Sequence, residues 1–177
     1  MKRVILPLIL FILVVLEGVA IEFLPRFLVG NGFLVTPHWV LVTLLLITTF
    51  YDLKDTYHSV VYGLIFGLLV DIVYTGTLGV YMFTYAVITY AIHGLMKVLH
   101  SNFFVAILVV AVGVALADLT IYAIYLVVGI TDMVWQDYLT ARMIPTVILN
   151  LIFLIVFYPL LVKLLVYLKG EHHSKNN

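Results

Sequence analysis

Along the chain, apolar residues come in long uninterrupted runs rather than in alternation, and polar residues are confined to short breaks between them. Runs such as Ile5-Leu6-Pro7-Leu8-Ile9-Leu10-Phe11-Ile12-Leu13 lack the two-residue period of a membrane barrel strand. They predict helices, and a helix needs about 20 apolar residues to cross a bilayer, fewer if its ends are polar or buried. Six spans are predicted: Val4 to Leu24, His38 to Tyr51, His58 to Tyr74, Leu78 to Met96, Phe103 to Gly129 and Ala141 to Leu168. The last contains Pro145 and Pro159, either of which can bend it. The expected fold class is an all-α polytopic membrane protein, with residues 1–169 as a single six-helix transmembrane domain and residues 170–177 as a polar cytoplasmic tail.

Composition agrees with the pattern. Of 177 residues, 65% are hydrophobic and 10% charged, nine Lys and Arg balancing nine Asp and Glu. A soluble domain usually carries about 25% charged residues, so a water-soluble globule is excluded. Zero net charge leaves no basic footprint for nucleic acid. The absence of cysteine removes disulfides, thiolate metal sites and cysteine nucleophiles. No catalytic constellation or metal-ligand spacing is present, so neither enzyme activity nor a cofactor is expected. The His172-His173 pair has no third ligand near it in sequence.

Charges at the breaks predict orientation. With the N-terminus cytoplasmic, Lys2, Arg3, Lys54, Lys97, Lys163, Lys169 and Lys175 lie inside and only Arg26 and Arg142 outside, which satisfies the positive-inside rule and places both termini in the cytoplasm. Lys2-Arg3, the apolar run and Gly18-Val19-Ala20 also resemble a cleavable secretory signal. Glu17 directly before that point, and the apolar run resuming after it, favour a retained helix.

A few polar residues fall inside the predicted spans. At about 1.5 Å per residue, Glu17, Asp71, Asp118, Arg142 and Asn150 all reach the outer half of the membrane, although they come from four helices. Intramembrane charges usually face protein or water. Two readings follow: a buried polar cluster in which Arg142 pairs with Asp71 or Asp118, or separate groups that each reach water at the outer boundary. For Asp71 and Arg142 the two stand level; for Glu17 and Asp118 the boundary reading is favoured. Gly63, Gly67 and Asp71 form one stripe at four-residue spacing, with Gly79 just beyond the turn, a pattern that admits a close helix neighbour. His93 reads as an interhelical residue rather than a proton relay.

Gly63-Leu64-Ile65-Phe66-Gly67-Leu68-Leu69-Val70-Asp71, then Thr77-Leu78-Gly79-Val80-Tyr81-Met82-Phe83, and Arg142-Met143-Ile144-Pro145-Thr146-Val147-Ile148-Leu149-Asn150, resemble the signatures of the rod shape-determining MreD family. That resemblance implies a non-catalytic subunit of the bacterial elongation machinery in the cell membrane. Its implied partners are the bitopic MreC, and also MreB, RodA and its transpeptidase, a class B penicillin-binding protein. It also implies a fold similar to the substrate-binding S-components of energy-coupling-factor transporters, and so a second functional class, a vitamin-binding transporter subunit. S-components commonly carry Ala-x-x-x-Ala on the first helix, whereas this one has only Ala20. A proton-coupled carrier using Glu17 and Asp118 lacks an inner-side acid. On the favoured reading, Gly63, Gly67, Asp71 and Gly79 pack against the helix of MreC or against a second copy of the chain. Phe27, Phe33, Trp135 and Tyr138 then touch the partner on the outer side.

Overall fold

The computed structural model describes residues 4–23 and 33–174, with side chains described for residues 4–20 and 33–170. Arg26 and Phe27 fall outside those bounds, as do the side chains of the His172-His173 pair.

Among the described residues the chain is helical throughout, without strands. Helix α1 is Ile5–Phe23. Helix α2 is Trp39–Leu46 and runs on through a π-helical turn, Ile47–Tyr51. Helix α3 is His58–Val70, extended by a second π-helical turn, Asp71–Thr75. Helix α4 is Val80–Met96 and α5 is Phe103–Val128. Helix α6 opens with Trp135–Asp137, widens over Tyr138–Met143 and continues as Ile144–Ser174 with Pro159 inside it. It therefore starts six residues before the predicted Ala141, because Gln136, Asp137 and Thr140, polar enough to read as loop, lie within its first turns. The Thr140 hydroxyl donates to the Gln136 carbonyl at 2.9 Å.

Three segments, His58–Thr75, Phe103–Val128 and Trp135–Gly170, are long and apolar enough to cross a membrane; Ile5–Ala20, Trp39–Tyr51 and Val80–Met96 are shorter apolar helices. The shortest explains the architecture. Helix α2 reads Trp-Val-Leu-Val-Thr-Leu-Leu-Leu-Ile-Thr-Thr-Phe-Tyr, apolar nearly all round, and a helix of that kind must be enclosed. Every residue from Val40 to Tyr51 is buried, and α2 contacts each of the other five helices. At 1.5 Å per residue it is only about 20 Å long, against about 30 Å of hydrocarbon. Its start is enclosed by the bundle, where unpaired backbone groups cannot turn to water, while its other end passes through the buried Asp52 into the exposed turn Leu53-Lys54-Asp55.

The closest helix pair is α3 with α4, joined through Gly76 and Gly79, whose φ values of 64° and 98° are left-handed. A Cβ on Gly67 would stand 2.7 Å from the Met82 Cα and the Tyr81 carbonyl oxygen, and one on Gly63 would be 3.2 Å from the Tyr85 carbonyl. Lipid supplies no hydrophobic drive for helix pairing, so such backbone approach is what holds this pair together. Gly67→Ala should destabilise the protein by about 1–3 kcal/mol, the usual range for overpacking. Gly94→Ala, with nothing within 4 Å of its Cβ, should be neutral or stabilising. Unfolding of the two variants in detergent micelles checks the contrast.

Gly18 has a comparable role. A Cβ there would stand 2.5 Å from the Tyr74 hydroxyl oxygen and 2.7 Å from its ring edge, and that hydroxyl donates to the Val14 carbonyl. The small residue that resembles part of a cleavage site is thus where α1 meets the end of α3.

Candidate functional site

The intramembrane polar residues serve the ends of the short helices. At the start of α2, the Glu17 Oε1 accepts from the Val40 N–H at 2.8 Å. Asn150 Oδ1 accepts from the His38 N–H at 2.7 Å, while Asn150 Nδ2 donates to the Thr36 and Thr146 carbonyls at 3.0 and 2.8 Å. The Thr146 hydroxyl oxygen accepts from the Thr36 N–H at 3.1 Å. Side chains from α1 and α6 therefore satisfy donors that α2 and its approach would otherwise leave orphaned. The far end is treated alike: Ser101 Oγ donates to the Thr49 carbonyl at 2.6 Å, and the Thr48 and Thr49 hydroxyls donate to the Leu44 and Leu45 carbonyls.

Asp71 does for α4 what Glu17 does for α2. One carboxylate oxygen accepts from the Gly79 and Met82 N–H groups at 2.9 and 3.1 Å, and the other from Tyr81 at 2.9 Å. At the opposite end of the bundle, Asp52 accepts from the His58 and Ser59 N–H groups at the start of α3, at 3.2 and 3.0 Å. A carboxylate at a helix N-terminus meets both the orphan donors and the positive end of the helix dipole.

Asp118 is engaged differently. Arg142 Nε donates to its Oδ1 at 3.1 Å, and His38 Nε2 lies 3.7 Å from the same oxygen. His38 is fully buried, and its Nδ1 is 3.0 Å from the Tyr85 hydroxyl. Tyr138, also fully buried, stacks on Tyr122 with ring centroids 3.9 Å apart.

Several expectations change. Arg142 pairs with Asp118 and not with Asp71, which is occupied by α4. Glu17 and Asp118, expected to reach water, are 3% and 0% exposed, because the ends of α2 and the guanidinium of Arg142 draw them inward. Gly63, Gly67 and Asp71 face α4 of the same chain and are buried by it, while Gly79 is the half-buried residue that starts α4, with open space where its Cβ would be. Tyr138 is enclosed, so of the expected outer contacts Trp135, half exposed, is accessible and Phe33 is partly so. His93 fits its interhelical reading, with Nε2 3.2 Å from the Lys54 carbonyl. The sequence marks His38 only as the start of a span and does not single out Tyr85. The Pro37-His38-Trp39 entry into the most apolar short run was the available clue.

Replacing Glu17 by alanine should destabilise the protein by about 1–3 kcal/mol, because the Val40 N–H is left buried without an acceptor. Glu17→Gln keeps an acceptor oxygen and should lose less than half of that. Detergent unfolding of both variants separates the hydrogen bond from the charge.

Buried polar staples between apolar helices define a helical integral membrane protein. The profile of the rod shape-determining protein MreD family matches residues 2–168. The chain is 32% identical over 151 residues to the "Rod shape-determining protein MreD" of Bacillus subtilis strain 168, covering 85% of this chain and 86% of that one. The chain belongs to the MreD family. No solved structure matches it.

Proposed function

We propose that this protein is a non-catalytic scaffold of the bacterial complex that builds the sidewall during elongation. It sits in the cell membrane as one S-component-like bundle of six spans with both termini in the cytoplasm, and it binds MreC. Through that contact it supports sidewall peptidoglycan synthesis and cell shape, alongside MreB, RodA and a class B penicillin-binding protein; self-association is a further mode of assembly. Family membership and the relative named for rod shape determination support this reading.

The observation that carries it is how the intramembrane polar groups are used. Glu17, Asp71 and Asn150 hold backbone N–H groups and Asp118 holds Arg142, which suits a rigid support. A vitamin-binding subunit needs such side chains turned toward a ligand. What the bundle turns outward is apolar: Leu8, Ile12 and Val15 on α1, and Ile144, Ile148 and Ile152 on α6, are each about half exposed. With the glycine stripe occupied, the helix of MreC must dock on an outward face of this kind.

Photocrosslinking tests this. Crosslinkers at positions 12 and 148 should capture MreC in cells, whereas one at position 67 should capture none. Depletion should turn rods into rounded cells. Crosslinks to MreC from position 67 alone would return the interface to the glycine stripe, and dependence of vitamin uptake on this chain would favour the transporter reading.

A further inference from the structure

At the end of the bundle opposite Glu17 and Asn150, a cavity of about 200 Å³ opens between the ends of α2, α4 and α6. Its size is many times the ~10–15 Å³ that one water requires. Three cations line it, Lys54, Lys97 and Lys169, and none of them is in a salt bridge among the described residues. Asp52 also lines it, but both of its oxygens are engaged by the start of α3. The cavity is therefore cationic, and it lies at the end of the bundle that the positive-inside rule assigns to the cytoplasmic face.

Beside the apolar Leu53 and Met96, the remaining polar lining has the opposite hydrogen-bonding character. The hydroxyls of Thr48, Thr49 and Ser101 all donate to backbone carbonyls, so their oxygens are left as acceptors. His93, 4% exposed, has its Nε2 against the Lys54 carbonyl, and its Nδ1 has no partner. A carbonyl can only accept, so Nε2 carries a proton and Nδ1 is the ring nitrogen left for a partner. Lysines with buried acceptors match a ligand that carries an anion together with hydroxyl donors.

We propose that this cavity binds the headgroup of an anionic polyol lipid of the phosphatidylglycerol kind, its phosphate on Lys54, Lys97 and Lys169 and its hydroxyls on the threonine and serine oxygens and on His93 Nδ1. Basic pockets between membrane helices are established sites for anionic headgroups. A headgroup seated here would join the α2–α3 turn, the end of α4 and the end of α6, bracing the face of the bundle that carries the lysines.

The test is native mass spectrometry of the full chain purified in detergent, titrated with phosphatidylglycerol, phosphatidic acid and phosphatidylcholine. Phosphatidylglycerol should bind at least tenfold more tightly than phosphatidylcholine. At about fivefold for each lysine near the surface, K54Q/K97Q/K169Q should weaken it by about a hundredfold, with helix content and melting temperature unchanged. S101A should narrow the preference for phosphatidylglycerol over phosphatidic acid several-fold and leave phosphatidic acid binding as it was. Equal binding of phosphatidylglycerol and phosphatidylcholine, or undiminished binding by the triple variant, would overturn the site. Phosphatidic acid binding as tightly as phosphatidylglycerol would overturn the polyol assignment. Soluble glycerol 3-phosphate binding as tightly as the lipid would overturn the membrane as its source.

Discussion

Asp71→Ala is expected to lower the unfolding free energy in detergent by about 3–5 kcal/mol, because each buried donor left without its acceptor costs about 1–3 kcal/mol. Three N–H groups, those of Gly79, Tyr81 and Met82, are released together. Tyr81 is buried, while Gly79 and Met82 are partly exposed and recover some solvation, which sets the lower end of the range. Asparagine at this position would retain one acceptor oxygen but point an amide at an N–H, so Asp71→Asn should fall between alanine and the wild type. Two measurements check this: the chain's steady-state level in membranes and its unfolding midpoint in mixed micelles. An Asp71→Ala protein as stable as the wild type would mean that α4 does not need this cap.

The second large effect belongs to Asp118 and Arg142. Removing one partner of a buried ion pair typically costs about 3–5 kcal/mol, whereas replacing both with apolar groups is often neutral or stabilising. The two single variants should differ, because the Arg142 side chain is 19% exposed and that of Asp118 is fully buried. D118L leaves a cation that can turn toward solvent. R142M leaves a buried carboxylate with no cation of fixed charge beside it and His38, 3.7 Å away, and Tyr138 as its neighbours, so it should be the worse of the two. D118L/R142M should recover most of the loss, which a double-mutant cycle measures directly. Charge reversal between positions 71 and 142 should give no rescue, since Asp71 serves α4.

Much of the helical layout was legible in the residues because each run is bounded by a residue that cannot continue it. Helix α1 begins at Ile5 and α5 ends at Val128, each within one residue of the predicted limit. The end of α5 is fixed by Gly129, whose φ of 78° is left-handed. Counting 1.5 Å per residue also brought Glu17, Asp118, Arg142 and Asn150 to one level. Height along a helix, however, says nothing about the direction a side chain faces, and helices that are apolar all round carry no periodic stripe to supply it.

That gap is why the sequence leaves the partner of Arg142 open between Asp71 and Asp118. Asp71 and Arg142 share an expected depth but face different neighbours, and nothing in α1 announces the enclosed start of α2 that draws Glu17 inward. The cap on α4 had a local sign: an acid followed across a Thr-Gly-Thr turn by Gly79, with its donors 8 to 11 residues on. The partners of α2 had no such sign. Glu17 lies 23 residues from Val40, and Asn150 lies 112 from His38, so only the packed bundle brings them together.

A common logic links the short helices and the buried polar groups. A bundle whose central helix begins inside the packed core must satisfy that helix's ends from other elements; Glu17, Asn150 and Ser101 do so for α2, and Asp71 does the same for α4. On this account the acids are structural acceptors that keep the bundle rigid, and the family's role in rod shape is exerted through its outer surfaces.

The most direct test is shape complementation by Glu17→Gln in a rod-shaped bacterium depleted of its own MreD, scored beside the wild-type chain with both proteins quantified in the membrane. Glutamine keeps the oxygen that accepts from Val40 but carries neither charge nor titratable proton, so the variant should accumulate and restore rods as the wild type does. A Glu17→Gln protein that accumulates normally yet leaves the cells round would contradict the account, because the carboxylate would then be doing something other than holding α2.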